Sequence, residues 1–151
     1  MTQTIEILLI EDSPADAHLI VEGLRDPRTA YKVHVVGDGV EALRFLRRHS
    51  PHDAAPRPDI ILLDLNLPRI DGRELLAEIK SDELLLDIPV VVLSGSASPD
   101  DINYAYRHHA ACYITKSAQL DQYFTTVRML KELWFNAASF PKKATAAHVA
   151  I

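Results

Sequence analysis

The chain has 151 residues, 48% hydrophobic and 25% charged, enough for one well-filled core and too few for two comfortable ones. Its formal net charge of −5, with no cluster of Lys and Arg making a basic face, argues against direct binding of nucleic acid. Residues 1–10 lack the basic start and longer apolar stretch of a signal peptide, and no run approaches the roughly 20 apolar residues that span a bilayer, so a cytoplasmic domain without membrane contact is expected.

The first apolar run, IEILLI at 5–10, barely alternates, as suits a parallel strand covered on both faces. SPAD at 13–16 then places an N-cap residue three before an acid, and Ala17, Ile20, Val21 and Leu24 follow at helical spacing. YKVHVV at 31–36 alternates and reads as a more exposed edge strand, and DGVE at 38–41 opens the second helix. A polar, proline-rich loop, HSPHDAAPRP at 49–58, leads to the third strand, DIILLD at 59–64. DGRE at 71–74 starts a helix carrying Leu75, Leu76 and Ile79, and IPVVVLS at 88–94 with SPDD at 98–101 repeats the unit.

The fifth strand is CYIT at 112–115, and its Cys112, the single cysteine, reads as a buried, inert thiol. A fifth helix is predicted from about Ala118 to Trp134. Leu120, Tyr123, Val127, Leu130 and Trp134 make its core-facing stripe, while Phe124, Met129, Leu133 and Phe135 lie beyond it. That surplus apolar surface points either to self-association or to a wide stripe covered by the tail. Residues 136–151 read as a loose tail, which leaves 1–135 as one domain. The adjacent His108 and His109 point in different directions on a helix and read as solvated helix-end residues.

Strand and helix alternating five times with right-handed crossovers predict a three-layer α/β fold, flavodoxin-like, with a parallel sheet in the order 2-1-3-4-5. Such a fold directs function to the carboxyl ends of its strands. There the polar residues collect: Glu11 and Asp12 after the first strand, Asp64 after the third, Ser94 closing the fourth and Lys116 after the fifth. A carboxylate at the end of a buried run needs compensation. Three clustered carboxylates call for a hard divalent cation, and few protein ligands with room for water suit Mg²⁺. The alternative is that Glu11 and Asp12 only help start the first helix while Lys116 pairs with Asp64. A carboxylate ringed by a metal, a hydroxyl and an ammonium is equipped to accept a phosphoryl group.

These residues resemble the receiver domain of two-component response regulators over roughly 5–134: the acidic pair, LLDLNLPRIDG, VVVLSGS and CYITK, with 30 residues from Asp64 to Ser94 and 22 from Ser94 to Lys116. The resemblance implies that Asp64 accepts phosphate from a sensor histidine kinase. It implies that Asp12 ligates Mg²⁺ directly and Glu11 through water, and that Asn66 offers its backbone carbonyl. Ser94 would bond a phosphoryl oxygen and Lys116 would pair with the phosphate. Tyr113 stands at the switch-aromatic position, and its other reading is a core aromatic with a wet hydroxyl. Phosphorylation would remodel the face made by the fourth helix, fifth strand and fifth helix, through which a homodimer would form. Ser117 stands where receivers usually have proline, and Glu11 replaces the commoner Asp.

The chain ends soon after the fifth helix, so a stand-alone receiver is expected. The proline-rich loop, RPDIILLDLNLPRIDGRELLAEIK and CYITKS are similar to the small receivers that work with bacterial phytochrome histidine kinases. Two rival readings would each leave a different mark on the sequence. A haloacid-dehalogenase-like phosphatase would carry a second Asp where Asn66 stands, and a receiver that serves only as a binding module would have lost its acidic pair or lysine.

Overall fold

The computed structural model describes residues 4–141. Five parallel strands, β1 (Ile5–Ile10), β2 (Tyr31–Val36), β3 (Ile60–Leu63), β4 (Val90–Ser94) and β5 (Cys112–Thr115), form one sheet in the order β2-β1-β3-β4-β5. The helices between and after them are α1 (Pro14–Gly23), α2 (Gly39–Leu46), α3 (Gly72–Ser81), α4 (Pro99–Arg107) and α5 (Leu120–Lys131). The predicted flavodoxin-like order is the one observed.

The unbroken apolar runs fill both faces of the sheet, because successive side chains of a strand point to opposite sides. Leu8, Ile10, Ile61, Leu63, Val90 and Val92 face α2, α3 and α4, where they meet Phe45, Leu75, Leu76, Ile79 and Ala105. Ile7, Leu9, Ile60, Leu62, Val91 and Leu93 face α1 and α5, where they meet Ala17, Ile20, Tyr123, Val127 and Leu130. Each fully buried Leu or Ile contributes about 1.5–3 kcal/mol, so the three central strands are the rigid base of the molecule. The outer strand β2 alternates, with Val35 exposed and Val36 buried, as an edge strand should.

All four cap residues sit where the sequence places them, but they act differently. Ser13 accepts the N–H of Asp16, Asp38 that of Glu41 and Asp71 that of Arg73, whereas Ser98 makes no side-chain cap bond. His108 caps the end of α4, its ring stacked 3.9 Å from that of Tyr104, which agrees with a helix-end role.

Four expectations about the C-terminal third need correction. Leu120 is 67% exposed, because α5 begins at it and its stripe enters the core only from Tyr123 onward. Phe135 is half-buried against Tyr31, ring centroids 5.1 Å apart, because the helix widens into a π-helical turn over Glu132–Ala137 and alters the 3.6-residue register. Part of the segment read as a loose tail is packed: Phe140 lies on the α1/α5 face of the core and stacks on Trp134 at 5.7 Å. The rest of that segment, 142–151, lies outside the described residues. Cys112 is half-buried rather than buried, and desolvation pushes its thiol pKa up, consistent with an inert group.

Candidate functional site

At the carboxyl end of the sheet the β1–β2, β1–β3 and β4–β5 ladders each continue for one residue beyond the strand, and that residue is polar. The N–H of Glu11 donates to Val36 O at 3.0 Å, that of Asp64 to Ile10 O at 3.0 Å and that of Lys116 to Ser94 O at 2.7 Å. Backbone pairing therefore fixes the three positions before any side-chain contact forms. Glu11, Asp64 and Ser94 are buried, while Asp12 is exposed at the rim.

The side chains converge as their strand ends suggest. One carboxylate oxygen from each of Glu11, Asp12 and Asp64 lies within 4.8 Å of the others. Lys116 Nζ donates to Glu11 Oε1 at 2.6 Å and Asp16 Oδ2 at 3.1 Å, with Asp64 Oδ2 at 3.5 Å. The other Asp64 oxygen accepts the N–H of Asn66 at 3.1 Å. Asn66 itself is exposed in the loop before α3.

The charges strain against burial. Desolvation pushes Glu11 up to about 7, with the Asp64 carboxylate adding to the rise and Lys116 opposing it. Burial by itself disfavours the Lys116 ammonium, but the Glu11 hydrogen bond and the Asp64 and Glu11 charges more than offset it and hold Lys116 above the ordinary lysine range. Tyr123, on α5, has a buried hydroxyl without a partner among the described residues, and desolvation pushes it up to about 12. An all-oxygen set of three carboxylates with one exposed edge is a fitting donor set for a hard divalent cation, which keeps several waters.

Ser94 closes β4, and its hydroxyl accepts the N–H of Ser96 at 3.2 Å. Ser96 O in turn accepts the hydroxyl of Tyr113 at 2.7 Å, and the Tyr113 ring rests half-buried on the α2/α3/α4 side of the core. Tyr113 in this structure is thus a packed aromatic whose hydroxyl is engaged, tied to the loop that carries Ser94.

Two features escaped the sequence reading. Asp16 reads as the acid of a helix-start motif, and only the fold brings Lys116 Nζ to it, at 3.1 Å. A polar chain also extends from the site: Ser96 Oγ donates to Asp101 Oδ2 at 2.6 Å, Arg73 Nε donates to Asp101 Oδ1 at 2.7 Å, and Tyr104 donates to Arg73 O at 3.1 Å. The Arg73 bond is the main cause that holds Asp101 below the usual carboxylate range, with Ser96 adding to it. This chain pins the start of α4 to the start of α3, and no local pattern signals a pairing across 28 residues.

Residues 7–128 match the family described as the response regulator receiver domain. The chain is 43% identical over 135 residues to response regulator Rcp1 of Synechocystis sp., across 89% of this chain and 92% of that protein. It is 40% identical over 128 residues to the probable methanogenesis regulatory protein FilR2 of Methanothrix harundinacea, across 85% of this chain and 82% of that protein. Among solved structures, the phosphorylated cyanobacterial phytochrome response regulator RcpA is similar with a TM-score of 0.90 at 50% identity, covering 93% of this chain and all of that one (100%). The Mn²⁺-bound form of Rcp1 is similar with a TM-score of 0.89 at 42% identity, covering 91% of this chain and 99% of that one. The match over residues 7–128, with likeness of this extent to whole relatives and solved structures, makes the chain a member of the response regulator receiver family.

Proposed function

We propose that the protein is a single-domain response regulator that takes a phosphoryl group on Asp64 from a sensor histidine kinase and relays it by changing the α4-β5-α5 face. The observation that carries this is the meeting of Glu11, Asp12 and Asp64 within 4.8 Å, with the Lys116 ammonium reaching into the same group. A carboxylate oxygen of Asp64 attacks phosphorus as the bond from phosphorus to the kinase histidine breaks and the imidazole leaves. Asp12 and Asp64 would hold Mg²⁺ directly, Glu11 through water, and Asn66 through its backbone carbonyl. When bound, the ion would neutralise charge on the transferring group. Lys116 pairs with the phosphoryl group and Ser94 donates a hydroxyl to one of its oxygens. The domain thereby assists its own phosphorylation and dephosphorylation, without being an enzyme in the ordinary sense.

Ser94 and Tyr113 then form the switch. Moving Ser94 toward the phosphoryl group displaces the loop that holds Ser96, and the 2.7 Å bond from Tyr113 couples the ring to that displacement. The apolar surface left by Leu120 (67% exposed) and Met129 (66%) on α5, Leu133 (51%) on the π-helical turn after it and Tyr106 (49%) on α4 supports homodimerisation through this face. We assign residues 1–135 to the receiver and 136–151 to a C-terminal extension whose first part packs through Phe140. No helix among the described residues is long and apolar enough to cross a membrane, which fits a cytoplasmic site of action.

The likeness to RcpA and Rcp1 supports a bacterial phytochrome as the partner kinase. A phosphotransfer profile tests this: purified histidine kinases of the source organism, labelled with phosphate, are each mixed with the protein. Rapid transfer from a phytochrome kinase is expected, and rapid transfer only from other sensors would contradict the assignment.

A further inference from the structure

Lys116 has three contacts at its ammonium, and they are unequal. Glu11 at 2.6 Å is 1% exposed at its side chain, Asp64 at 3.5 Å is 8% exposed, and Asp16 at 3.1 Å is 43% exposed. Among the described residues no other group bonds Lys116 Nζ. The resting ammonium therefore sits closer to Glu11 and Asp16 than to Asp64, the group it must serve. Asp16 is not one of the three carboxylates whose oxygens lie within 4.8 Å of one another.

A phosphoryl group on Asp64 brings two or so negative charges to the far side of Lys116. The ammonium is drawn toward them, and of its two shorter contacts the one to the half-exposed Asp16 is the easier to give up, since water can solvate the carboxylate it leaves. Glu11, buried, is closed to bulk water, and only the water shell of a bound Mg²⁺ would take the place of the lysine there.

We infer that Asp16 is a positioning residue: it holds Lys116 in a resting place nearer to Glu11 and itself than to Asp64, and its release of the lysine is part of the acquisition of phosphate. The contact exists before phosphorylation and weakens after it, so Asp16 favours the unphosphorylated state. The bland account, a first-turn acid that favours the positive end of α1, predicts a different outcome: loss of the charge would loosen α1 and leave ligand affinity unchanged or reduced.

The inference rests on Asp64 being the acceptor, and the test separates the two ideas. Beryllofluoride, which binds a carboxylate as a mimic of its phosphorylated form, is titrated at saturating Mg²⁺ and followed by fluorine NMR for wild type, Asp16→Asn, Asp16→Ser, Asp16→Glu and Asp64→Asn. Both neutral variants should bind about two- to five-fold more tightly than wild type, the range expected for losing one half-exposed ion pair. Asp16→Glu, which keeps the charge, should return toward wild type, and Asp64→Asn should not bind. Wild-type or weaker affinity in both neutral variants, or equal tightening by Glu, overturns the role of Asp16. Undiminished binding to Asp64→Asn would instead overturn the acceptor assignment.

Discussion

Gly72 is the first residue of α3, and the acceptor loop runs directly beneath it. A Cβ at this position would fall 2.4 Å from Leu65 Cα, 2.5 Å from Asp64 O and 2.7 Å from Leu65 O. Ordinary contact begins near 3.4 Å, so Gly72→Ala demands that helix and loop separate by about 1 Å. All three atoms are backbone and cannot rotate aside, while the Gly72 N–H is tied to Leu65 O at 2.9 Å. Overpacking of this kind should cost about 3 kcal/mol, the upper end of the usual range. At roughly 2.1 cal/mol/K per residue, the unfolding entropy of this domain is about 0.3 kcal/mol per degree, so the melting temperature should fall by about 10 °C. The displaced carbonyl belongs to Asp64 itself, and a misplacement of about 1 Å in a reacting group costs on the order of 100-fold in rate. Thermal melts by circular dichroism and initial rates of labelling by acetyl phosphate measure both effects. Gly95→Ala is the control, since nothing lies within 4 Å of the Cβ it would add. A Gly72→Ala protein that melts within about 2 °C of wild type and labels at the same rate would refute the reasoning that helix and loop form one rigid contact.

Asp12→Ala should weaken Mg²⁺ or Mn²⁺ binding by removing the exposed carboxylate of the trio, and an unchanged metal titration would take Asp12 out of the site. Asp101 is held below the ordinary carboxylate range by Arg73 and Ser96, so its contribution to stability is present above that range and lost as pH falls through its lowered pKa. The stability gap between wild type and Asp101→Asn, read from urea melts, should therefore be full near pH 6 and shrink toward pH 2; a constant gap would count against the Arg73 bond. Met129→Ser combined with Leu133→Ser should shift sedimentation toward monomer, and no shift would place the dimer contact elsewhere.

The strand order and the convergence of the main candidate residues were legible because each of Glu11, Asp64, Ser94 and Lys116 ends or directly follows an apolar run, and the parallel ladders extend to just those positions. What was hidden depends on tertiary contact. Asp16 has the spacing of a helix-start acid, and only the fold brings Lys116 across 100 residues to it. Ser98 looks like a cap but its N–H donates to Ser96 Oγ, and its side chain caps nothing, because the loop is organised around Ser96 and Asp101. The burial of Phe135 and Phe140 follows from a π-helical turn, which a search for 3.6-residue periodicity does not detect. Leu120 fits the apolar stripe by spacing alone and is exposed because the helix begins at it.

The central claim is that Asp64 carries the phosphoryl group, and the mass of the intact protein after incubation with acetyl phosphate and Mg²⁺ tests it most directly. Wild type should gain the mass of one phosphoryl group, and Asp64→Asn, folded to the same melting curve or better, should gain none. A full phosphoryl adduct on the Asp64→Asn protein would contradict the account.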